Sequence, residues 1–567
     1  MRLPLLFLFV LTALARGDEV PLSWGPHKDL TAKPAAGGGV EITLGAGNPH
    51  FWTGVVPEAF DPERHRVFEM QAFAPEGAAS VALRFRAEDG SMAVAGASPL
   101  ALSEAWQPWA MDWSRANTKP AAGDPQMRFH VTLQGKPGSV LRLRGFKLRE
   151  PSTEEIRLQT EREQMKQARE SDAKNILSYL QTDWPASVDT VHVGFNELTL
   201  TGKSPRPARL VGLPPEMPSH LAKVDGGQPV PLNEEGRFRI VIPRVDEVSK
   251  RDRASWRWRL ADADSGEWVS AAKWPTAEGP ALGGNLPRMT APSAKGLGGV
   301  GSIARADHEI YELGIRHVTM NVVLGSLLRD TPAKGHAPWV CEGLTYYYNE
   351  AATSARDTTL RHHAANGVIV SAILLVPNHR DSAGEPVSML THPEAEARGI
   401  YAMPNLTAQE PARRYAAAVR FLAERHNGAG DAGRISNWIL HNEIDQAGTW
   451  TNMGDRPLAR YLEAYHRSAR LVYHTARLFD RHARVFVSLT HHWTKQSAGT
   501  GTYVVRDLLE LFAQMAKAEG DFEWGVAYHP YPRDLRNPDT WNDKDVTADF
   551  DTPYITPKNL EVLPAFL

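Results

Sequence analysis

The sequence has almost no cysteine: of its 567 residues, only Cys341 carries a thiol. A single cysteine cannot form an internal disulfide, so the fold must be stabilised by buried apolar cores rather than by covalent cross-links. An unpaired thiol is more typical of a small buried side chain than of a nucleophile. We therefore expect Cys341 to be buried and to have no catalytic role.

The sequence also lacks an excess of either charge. Its 63 Lys and Arg residues nearly balance its 66 Asp and Glu residues, for a formal net charge of −3. This balance gives no electrostatic reason to expect nucleic acid or an acidic membrane surface as a partner. Hydrophobic residues make up 42% and charged residues 23% of the chain, which is typical of a globular protein, and the length predicts two to four domains. Neutral or weakly charged ligands are the better match.

Long hydrophobic runs are missing as well. The N-terminal segment MRLPLLFLFVLTALARG has an apolar run from Leu3 to Leu14, which is shorter than the roughly 20 residues that a membrane-spanning helix needs. Ala13 and Ala15 match the small-residue pattern of a cleavage site. The segment predicts a signal peptide over residues 1–18, cleaved after Ala15 or nearby, and therefore a secreted or periplasmic protein. A membrane anchor is the alternative.

From residue 19 to residue 150, the sequence contains short runs in which apolar and polar residues alternate. VALRFR, MRFHVTL and LRLRGFKLRE are examples, separated by Gly, Pro and Asp. A period of two with turn residues between the runs predicts a β-sandwich. Trp106, Trp109 and Trp113 cluster in one segment, and the region resembles the jelly-roll modules that bind carbohydrate on secreted polysaccharide-degrading enzymes. These tryptophans could bind sugar, or they could fill the core of the sandwich.

Two further regions separate this sandwich from the C-terminal half. Residues 151–185 begin PSTEEIRLQTEREQMKQ and are rich in charged residues of alternating sign, which predicts a long exposed helix that links two domains. Strand patterns return in VHVGFNELTL, RFRIVIP and WRWRL. They predict a second, smaller β-domain over residues 186–275.

From residue 280 to residue 567, strand patterns alternate with amphipathic helices, which indicates a parallel α/β fold. Six strands are predicted, over residues 296–303, 316–324, 367–378, 435–443, 484–493 and 522–532. The fold class predicted for the whole chain is therefore multidomain. Two N-terminal β-sandwich domains joined by a long helix precede a C-terminally truncated (β/α)8 TIM barrel, with about six of its eight units.

Polar or aromatic side chains follow the last five of these strands. In a (β/α)8 barrel the carboxyl ends of the strands converge on one mouth, where the active site lies. We therefore expect one site that contains Asn321, Asn378, Asn442, Glu443, His491, Trp493, His529 and Tyr531. A carboxylate at the end of a buried strand loses hydration, which is common where an acid must hold its proton near neutral pH. The pKa of Glu443 is accordingly expected to be raised.

The fourth strand ends in Asn442-Glu443 and the sixth in His529-x-Tyr531, and these motifs resemble those of the retaining glycoside hydrolases of clan A. The resemblance implies that Glu443 is the general acid/base, that Asn442 binds the sugar 2-hydroxyl, and that His529 and Tyr531 line the subsite beside the nucleophile. The arrangement also resembles that of an uncharacterised family of secreted bacterial proteins with such a barrel behind β-domains. The implied partner is a polysaccharide or oligosaccharide substrate, without a cofactor.

Retaining hydrolysis needs two carboxyl groups roughly 5 Å apart. The resemblance places the nucleophile, a Glu, at the end of a seventh strand, whereas the sequence after the sixth strand reads as a helix that begins near Thr556. We therefore expect the nucleophile beyond Leu567, and we expect the chain to be truncated at its C-terminus.

Two alternatives stay open at this stage. One is a carbohydrate-binding protein whose barrel has lost catalysis. The other is a metal-dependent barrel hydrolase, because several histidines follow the predicted strands. Its candidate ligands are His379, His491, His492 and His529.

Overall fold

A computed structural model describes residues 19–567 except residues 37, 77, 115, 117, 122–123, 221–225 and 280–281. The predicted signal peptide, residues 1–18, lies outside the described residues. The chain divides into two compact units, residues 1–166 and residues 167–567. Among the residues that the structure describes, no helix combines the length and the apolar character needed to cross a membrane.

The described residues of the first unit form two antiparallel sheets. The strands are β1 (Glu19–Pro21), β2 (Trp24–Lys28), β3 (Leu30–Pro34), β4 (Val40–Leu44), β5 (His50–Thr53), β6 (Val67–Ala74), β7 (Ala78–Arg86), β8 (Met92–Leu100), β9 (Ser103–Asp112), β10 (Phe129–Gln134) and β11 (Val140–Arg149). One sheet has the order β3-β4-β11-β6-β9, with β1 beside β11, and the other has the order β2-β5-β10-β7-β8. The predicted β-sandwich is confirmed.

The core of this sandwich lies between the sheets because alternate residues of each strand point inward. Fully buried side chains come from both sheets, among them Phe51, Phe68, Leu83 and Phe129. Trp109 and Trp113 belong to the same core, and the rings of Trp113 and Phe129 stack with their centroids 5.2 Å apart. Trp106 is half-buried on β9, with the Arg144 guanidinium 4.0 Å from its ring centroid. Two of the three clustered tryptophans therefore fill the core.

A long helix, α1 (Thr153–Gln181), follows the sandwich. Its start is a capping box: the Glu155 N–H donates to Ser152 Oγ over 3.2 Å, and the Ser152 N–H donates to Glu155 Oε2 over 2.7 Å. The last turns of the helix are part of the second unit, where Ala173, Ile176 and Tyr179 are buried. The sequence had predicted an exposed helix, whereas the last turns of α1 are partly buried.

The second unit begins with two small sheets. Their strands are β12 (Ser187–Val193), β13 (Glu197–Lys203), β14 (Ala208–Leu213), β15 (Gln228–Pro229), β16 (Arg237–Pro243), β17 (Arg257–Asp262) and β18 (Ala277–Glu278). The strand orders are β16-β13-β12-β18 and β15-β14-β17. Apolar side chains of these sheets share one core with the C-terminal part of the unit.

A curled parallel sheet forms the rest of the second unit. Its strands are β19 (Gly296–Leu297), β20 (His317–Val323), β24 (Ile369–Leu375), β25 (Asn437–Leu440), β26 (Arg484–Leu489) and β27 (Trp524–Tyr528), in that order. A separate small sheet contains β21 (Leu328–Arg329), β22 (His336–Cys341) and β23 (Leu344–Asn349). The first parallel strand is much shorter than predicted. In the part of the chain that the structure describes, the sheet is a half-barrel rather than a closed barrel.

Helices lie between the strands of this sheet along the chain. They are α2 (Glu309–Glu312), α3 (Glu350–Ala365), α4 (Gln409–Arg425), α5 (Ala447–Trp450), α6 (Leu458–Arg477), α7 (Val505–Ala518) and α8 (Val562–Phe566). The apolar stripe of α6 is buried, including Leu462, Tyr465 and Val472, because α6 packs on β25 and β26 and lies between α4 and α7. Every strand from β24 to β27 is preceded by such a helix, so the carboxyl ends of the strands lie at one rim of the sheet.

Candidate functional site

Glu443 lies in a strained turn just beyond the carboxyl end of β25. Its backbone has φ 40° and ψ 63°, a left-handed conformation that is uncommon for a residue with a side chain. The Glu443 N–H donates to Ser488 Oγ on β26 over 3.0 Å, and the Glu443 carbonyl accepts from the Gln446 N–H over 2.8 Å. Strain of this kind persists only where neighbouring groups fix it, and it is concentrated at functional sites.

The turn is held in place by Asp445, which is fully buried. Its carboxylate accepts from the Thr490 N–H over 2.8 Å, from the Thr490 hydroxyl over 2.5 Å and from Gln446 Nε2 over 2.8 Å. Burial raises the pKa of Asp445. The sequence analysis missed Asp445, Ser488 and Thr490, although polar residues at the ends of two successive strands could have indicated them. They join β25 to β26 and thereby position Glu443.

The Glu443 carboxylate is bound by two side chains from the segment after β27. His529 Nδ1–H donates to Glu443 Oε1 over 2.7 Å, and the Tyr531 hydroxyl donates to the same oxygen over 2.8 Å. The His529 N–H donates to the Leu489 carbonyl over 2.8 Å, so β26 fixes the position of this segment. The structure therefore brings together Glu443, His529 and Tyr531, which the sequence had predicted to share a site.

The pKa of Glu443 is lowered in this arrangement. Burial is the largest single influence and raises it, but the hydrogen bonds from His529 and Tyr531, with a smaller contribution from Trp450, outweigh burial. The prediction of a raised pKa was wrong because the sequence did not reveal that both donors stabilise the anion. Burial, and then the hydrogen bond to Glu443, raises the pKa of Tyr531, so its hydroxyl stays protonated as a donor. The site holds Glu443 as a carboxylate at neutral pH.

Asn442 presents a side chain that the protein does not use. It is half-buried, and within the described residues its amide group makes no hydrogen bond, whereas its backbone carbonyl accepts from the Thr451 hydroxyl over 3.3 Å. An amide group beside the Glu443 carboxylate is free to donate to a ligand and to accept from it. The ligand-binding role that the resemblance implies for Asn442 stays a prediction.

His491 packs beside Tyr531. Its ring stacks on that of Tyr554 with centroids 5.6 Å apart and meets the Tyr531 ring edge-on at 6.0 Å. Burial lowers the pKa of His491 to about 4, so the ring is neutral at physiological pH. Its Nδ1 atom is buried and has no hydrogen-bond partner among the described residues. His491 is therefore a wall of the site with one unsatisfied polar atom.

Three residues predicted to contact substrate have other surroundings. Trp493 is fully buried, donates from Nε1 to the Phe550 carbonyl over 2.8 Å and packs edge-on against Phe566. The prediction that it binds substrate was wrong, because the indole is fully buried and offers no face to a sugar. Asn321 is exposed on β20, and no hydrogen bond connects its side chain to another described residue.

The prediction that Asn378 contacts substrate was also wrong, because its amide group is hydrogen-bonded inside the protein. The side chain is buried, and Nδ2 donates to the carbonyls of Glu396 and Arg398 over 2.8 and 2.9 Å. These bonds fasten the segment after β24 instead of facing a ligand.

We expect Asn378→Ala to lower the free energy of unfolding by about 1–3 kcal/mol, because two buried carbonyls lose their donor. The matched control is Asn321→Ala, an exposed asparagine on a neighbouring strand, which should change the free energy by less than about 0.5 kcal/mol. Urea unfolding followed by tryptophan fluorescence measures both values. Equal effects of the two substitutions would show that Asn378 does not anchor this segment.

The histidines do not form the metal site that was held open as an alternative. In the described part of the chain, no three His, Cys, Asp or Glu side chains are grouped so that they could hold a metal ion. His529 is bonded to Glu443, His379 is exposed, and His492 Nδ1–H donates to the Lys495 carbonyl over 3.2 Å. Cys341 is buried, as expected, and burial raises the pKa of its thiol to about 12.

Three solved structures are similar to a part of the chain. The C-terminal family 6 carbohydrate-binding module of a marine laminarinase from Zobellia galactanivorans has a TM-score of 0.18 and 12% identity, over 24% of this chain and 98% of its own. The family 11 module from Clostridium thermocellum, in complex with a β-1,3-1,4-mixed-linked tetrasaccharide, has a TM-score of 0.18 and 12% identity, over 24% and 96%. A family 6 module from Clostridium cellulolyticum in complex with xylose has a TM-score of 0.17 and 12% identity, over 24% and 96%.

Likeness at this level carries no conclusion about ligands. No curated protein matches the chain. The part of the chain that contains the parallel sheet and Glu443, residues 287–567, matches the model of a family described as a family of unknown function, DUF5722.

Proposed function

We propose that the chain acts on carbohydrate through Glu443, as a secreted or periplasmic protein related to the retaining glycoside hydrolases. One observation carries this proposal: a carboxylate in a strained turn at the end of a parallel strand accepts hydrogen bonds from His529 and Tyr531. The unengaged amide of Asn442 lies beside it in sequence. A carboxylate, an amide and a tyrosine suit the hydroxyl groups of a sugar, which both donate and accept.

The proposal includes a (β/α)8 barrel as the complete fold of this region. The strands β19, β20, β24, β25, β26 and β27 are parallel and stand in sequence order, and a helix precedes each strand from β24 onward. This is the arrangement of a barrel wall. The residues after β25, β26 and β27 then face the mouth of the barrel, which is where Glu443, His491 and Tyr531 would meet a substrate.

Glu443 would work as a base and as an acid in alternate steps. As the carboxylate, it can accept a proton from the water that releases the sugar from a covalent intermediate. As the acid, it must first take up a proton before it can protonate the leaving oxygen. His529 and Tyr531 both contact Oε1, so Oε2 carries neither bond and is the oxygen that we assign to proton transfer. Bound substrate excludes water from the carboxylate, which favours its neutral form.

Retaining hydrolysis also requires a nucleophilic carboxylate about 5 Å from the acid. Among the residues that the structure describes, no second Asp or Glu is hydrogen-bonded to Glu443 or to its two donors, and Asp445 is fully buried and bonded to Thr490. A 2-deoxy-2-fluoro glycoside traps the nucleophile as a covalent ester, and peptide mapping of the labelled protein then locates it.

The labelling experiment and a panel of glycosides together distinguish three interpretations. A label on a carboxylate other than Glu443 supports the proposed acid/base role. A label on Glu443 would make it the nucleophile and overturn the assignment. Saccharide binding without hydrolysis of any substrate in a broad glycoside panel would favour the alternative, a carbohydrate-binding protein, for which a carboxylate held as a hydrogen-bond acceptor is also suited.

We expect Tyr531→Phe to keep the protein active to higher pH. The substitution removes a hydrogen bond that lowers the pKa of Glu443, while the burial that raises this pKa remains. The glycosylation step needs protonated Glu443, so kcat/KM falls as the pH rises through that pKa. A higher pKa therefore moves the falling limb of the pH profile towards alkaline pH. Tyr347→Phe, a substitution on β23, is the control, and coincident profiles for wild type and Tyr531→Phe would contradict the prediction.

A further inference from the structure

A cavity rich in arginine lies in the second unit, at the rim of the parallel sheet where the strands begin. Its volume is about 490 Å³, which is within the usual range for a small-molecule site. The side chains around it come from the end of α6, the start of β26, the residue before β27 and the segment before β19. The charged and titratable ones are Arg288, Arg477, Arg481, His482, Arg484 and Glu523. Glu443 follows the carboxyl end of β25, so this cavity is separate from the site already described.

Positive charge dominates this cavity. Four arginines and one glutamate line it, which leaves a formal charge of +3, whereas the whole chain carries −3. Glu523 is exposed, and its Oε2 atom lies 3.6 Å from Arg477 Nη1, so water weakens this ion pair. The His482 ring accepts from Arg481 Nε over 3.3 Å. Burial, and then the Arg481 guanidinium, lowers the pKa of His482, so this ring adds no charge at physiological pH.

Two of the arginines have no partner for their charge in the part of the chain that the structure describes. Arg288 is exposed and Arg484 is half-buried, and neither guanidinium makes a hydrogen bond or an ion pair with another described residue. The Arg484 guanidinium lies 5.6 Å from the centroid of the Phe486 ring. Burial, and then the Arg288 guanidinium, lowers the pKa of Arg484. The two cations therefore repel each other, and an anion between them would remove this repulsion.

We propose that this cavity binds a small anion that carries at least two phosphate groups. Each phosphate group has about 1.5 to 2 negative charges at pH 7, so two of them match the positive charge of the cavity. The tetrahedral oxygens of a phosphate accept from arginines on several sides, whereas a planar carboxylate pairs best with a single guanidinium. The arginines come from separate segments of the chain, which favours phosphate. This site does not depend on any role of Glu443.

The test is isothermal titration of the whole 567-residue chain with inorganic pyrophosphate at constant ionic strength. We expect one binding site per chain. Arg288→Gln and Arg484→Gln should each weaken binding about tenfold or more, because each removes charge-assisted hydrogen bonds to the anion. Both variants should keep the melting temperature close to that of wild type. The matched control is Arg239→Gln, at an exposed position of β16 in the same unit, which should bind pyrophosphate as wild type does.

Two further probes distinguish the chemistry and the source of the anion. Citrate carries carboxylates and no phosphate, so it should bind more weakly than pyrophosphate. Vesicles that contain phosphatidic acid present phosphate on a surface, and the chain should not sediment with them. Absence of pyrophosphate binding, citrate binding as tight as pyrophosphate binding, or equal weakening by Arg239→Gln and Arg484→Gln would overturn the proposal. Sedimentation with the vesicles that Arg484→Gln abolishes would also overturn it, since the arginines would then bind a lipid surface.

Discussion

Glu443→Gln is expected to lower turnover by about 10²- to 10⁴-fold, the usual contribution of general acid–base catalysis. Glutamine has nearly the same shape and still accepts the hydrogen bonds that His529 and Tyr531 donate to Glu443. It cannot release a proton to a leaving group or take one from water. The loss should be largest for substrates with a poor leaving group, which depend most on protonation. Turnover and melting temperature are measured on the same preparations.

The chain offers a matched control for this substitution. The dipeptide Asn-Glu also occurs at Asn196-Glu197, where Glu197 is exposed on β13 and has no hydrogen bond like those of Glu443. Glu197→Gln should leave both turnover and melting temperature unchanged. Turnover of Glu443→Gln within a few-fold of wild type, on a substrate with a poor leaving group, would show that Glu443 is not the acid.

The second unit is expected to lose much of its stability between pH 7 and pH 5. It contains buried histidines whose pKa values burial lowers from 6.5 to about 3 or 4. They are His363, His392, His426, His441, His466 and His491. Below pH 6.5 the unfolded chain binds protons that the folded chain does not. Stability is therefore complete above pH 6.5 and falls as the pH decreases towards 4.

The size of this effect follows from the number of groups. Each histidine contributes up to about 1.4 kcal/mol per pH unit in this window, so the six together can remove roughly 5–10 kcal/mol between pH 7 and pH 5. Asp445 and Glu342, whose pKa values burial raises, offset a part of this loss at low pH. A change of this size compares with the whole free energy of unfolding of a typical domain. Thermal unfolding at pH 7, 6 and 5 should show the melting temperature falling by at least about 10 °C.

A single histidine tests the cause. His466 packs edge-on against Phe512 and Phe522 and against Trp274, so His466→Phe keeps an aromatic ring in place and removes one titrating group. We expect this substitution to reduce the slope of the free energy of unfolding against pH by the equivalent of up to one bound proton. His192→Gln, at an exposed position of β12, should leave the slope as it is. A slope that His466→Phe does not change would exclude this histidine as a source of the acid sensitivity.

The sequence by itself determined the order of the elements and the location of the strand ends. The alternation in β7, β10 and β11 predicted the sandwich because side chains on successive residues of a strand point to opposite faces. The alternation of strand and helix patterns after residue 280 likewise predicted parallel strands in sequence order, which the structure shows for β19, β20 and β24–β27. These are local properties: each depends on the spacing of a few consecutive residues, so it can be read without knowing the fold.

Tertiary structure alone decided which strand-end residues form one site and in which protonation state Glu443 is held. The Glu443 N–H donates to a residue 45 positions further along the chain, and its carboxylate accepts from residues 86 and 88 positions further along. The two carboxylate donors reverse the direction of its pKa shift relative to burial alone. Asn378 and Trp493 follow strands in the same way, yet each makes its hydrogen bonds with backbone carbonyls inside the protein. Sequence spacing gives the position of a side chain along its own strand. Its partners depend on which distant segments pack beside it, and that is a property of the whole fold.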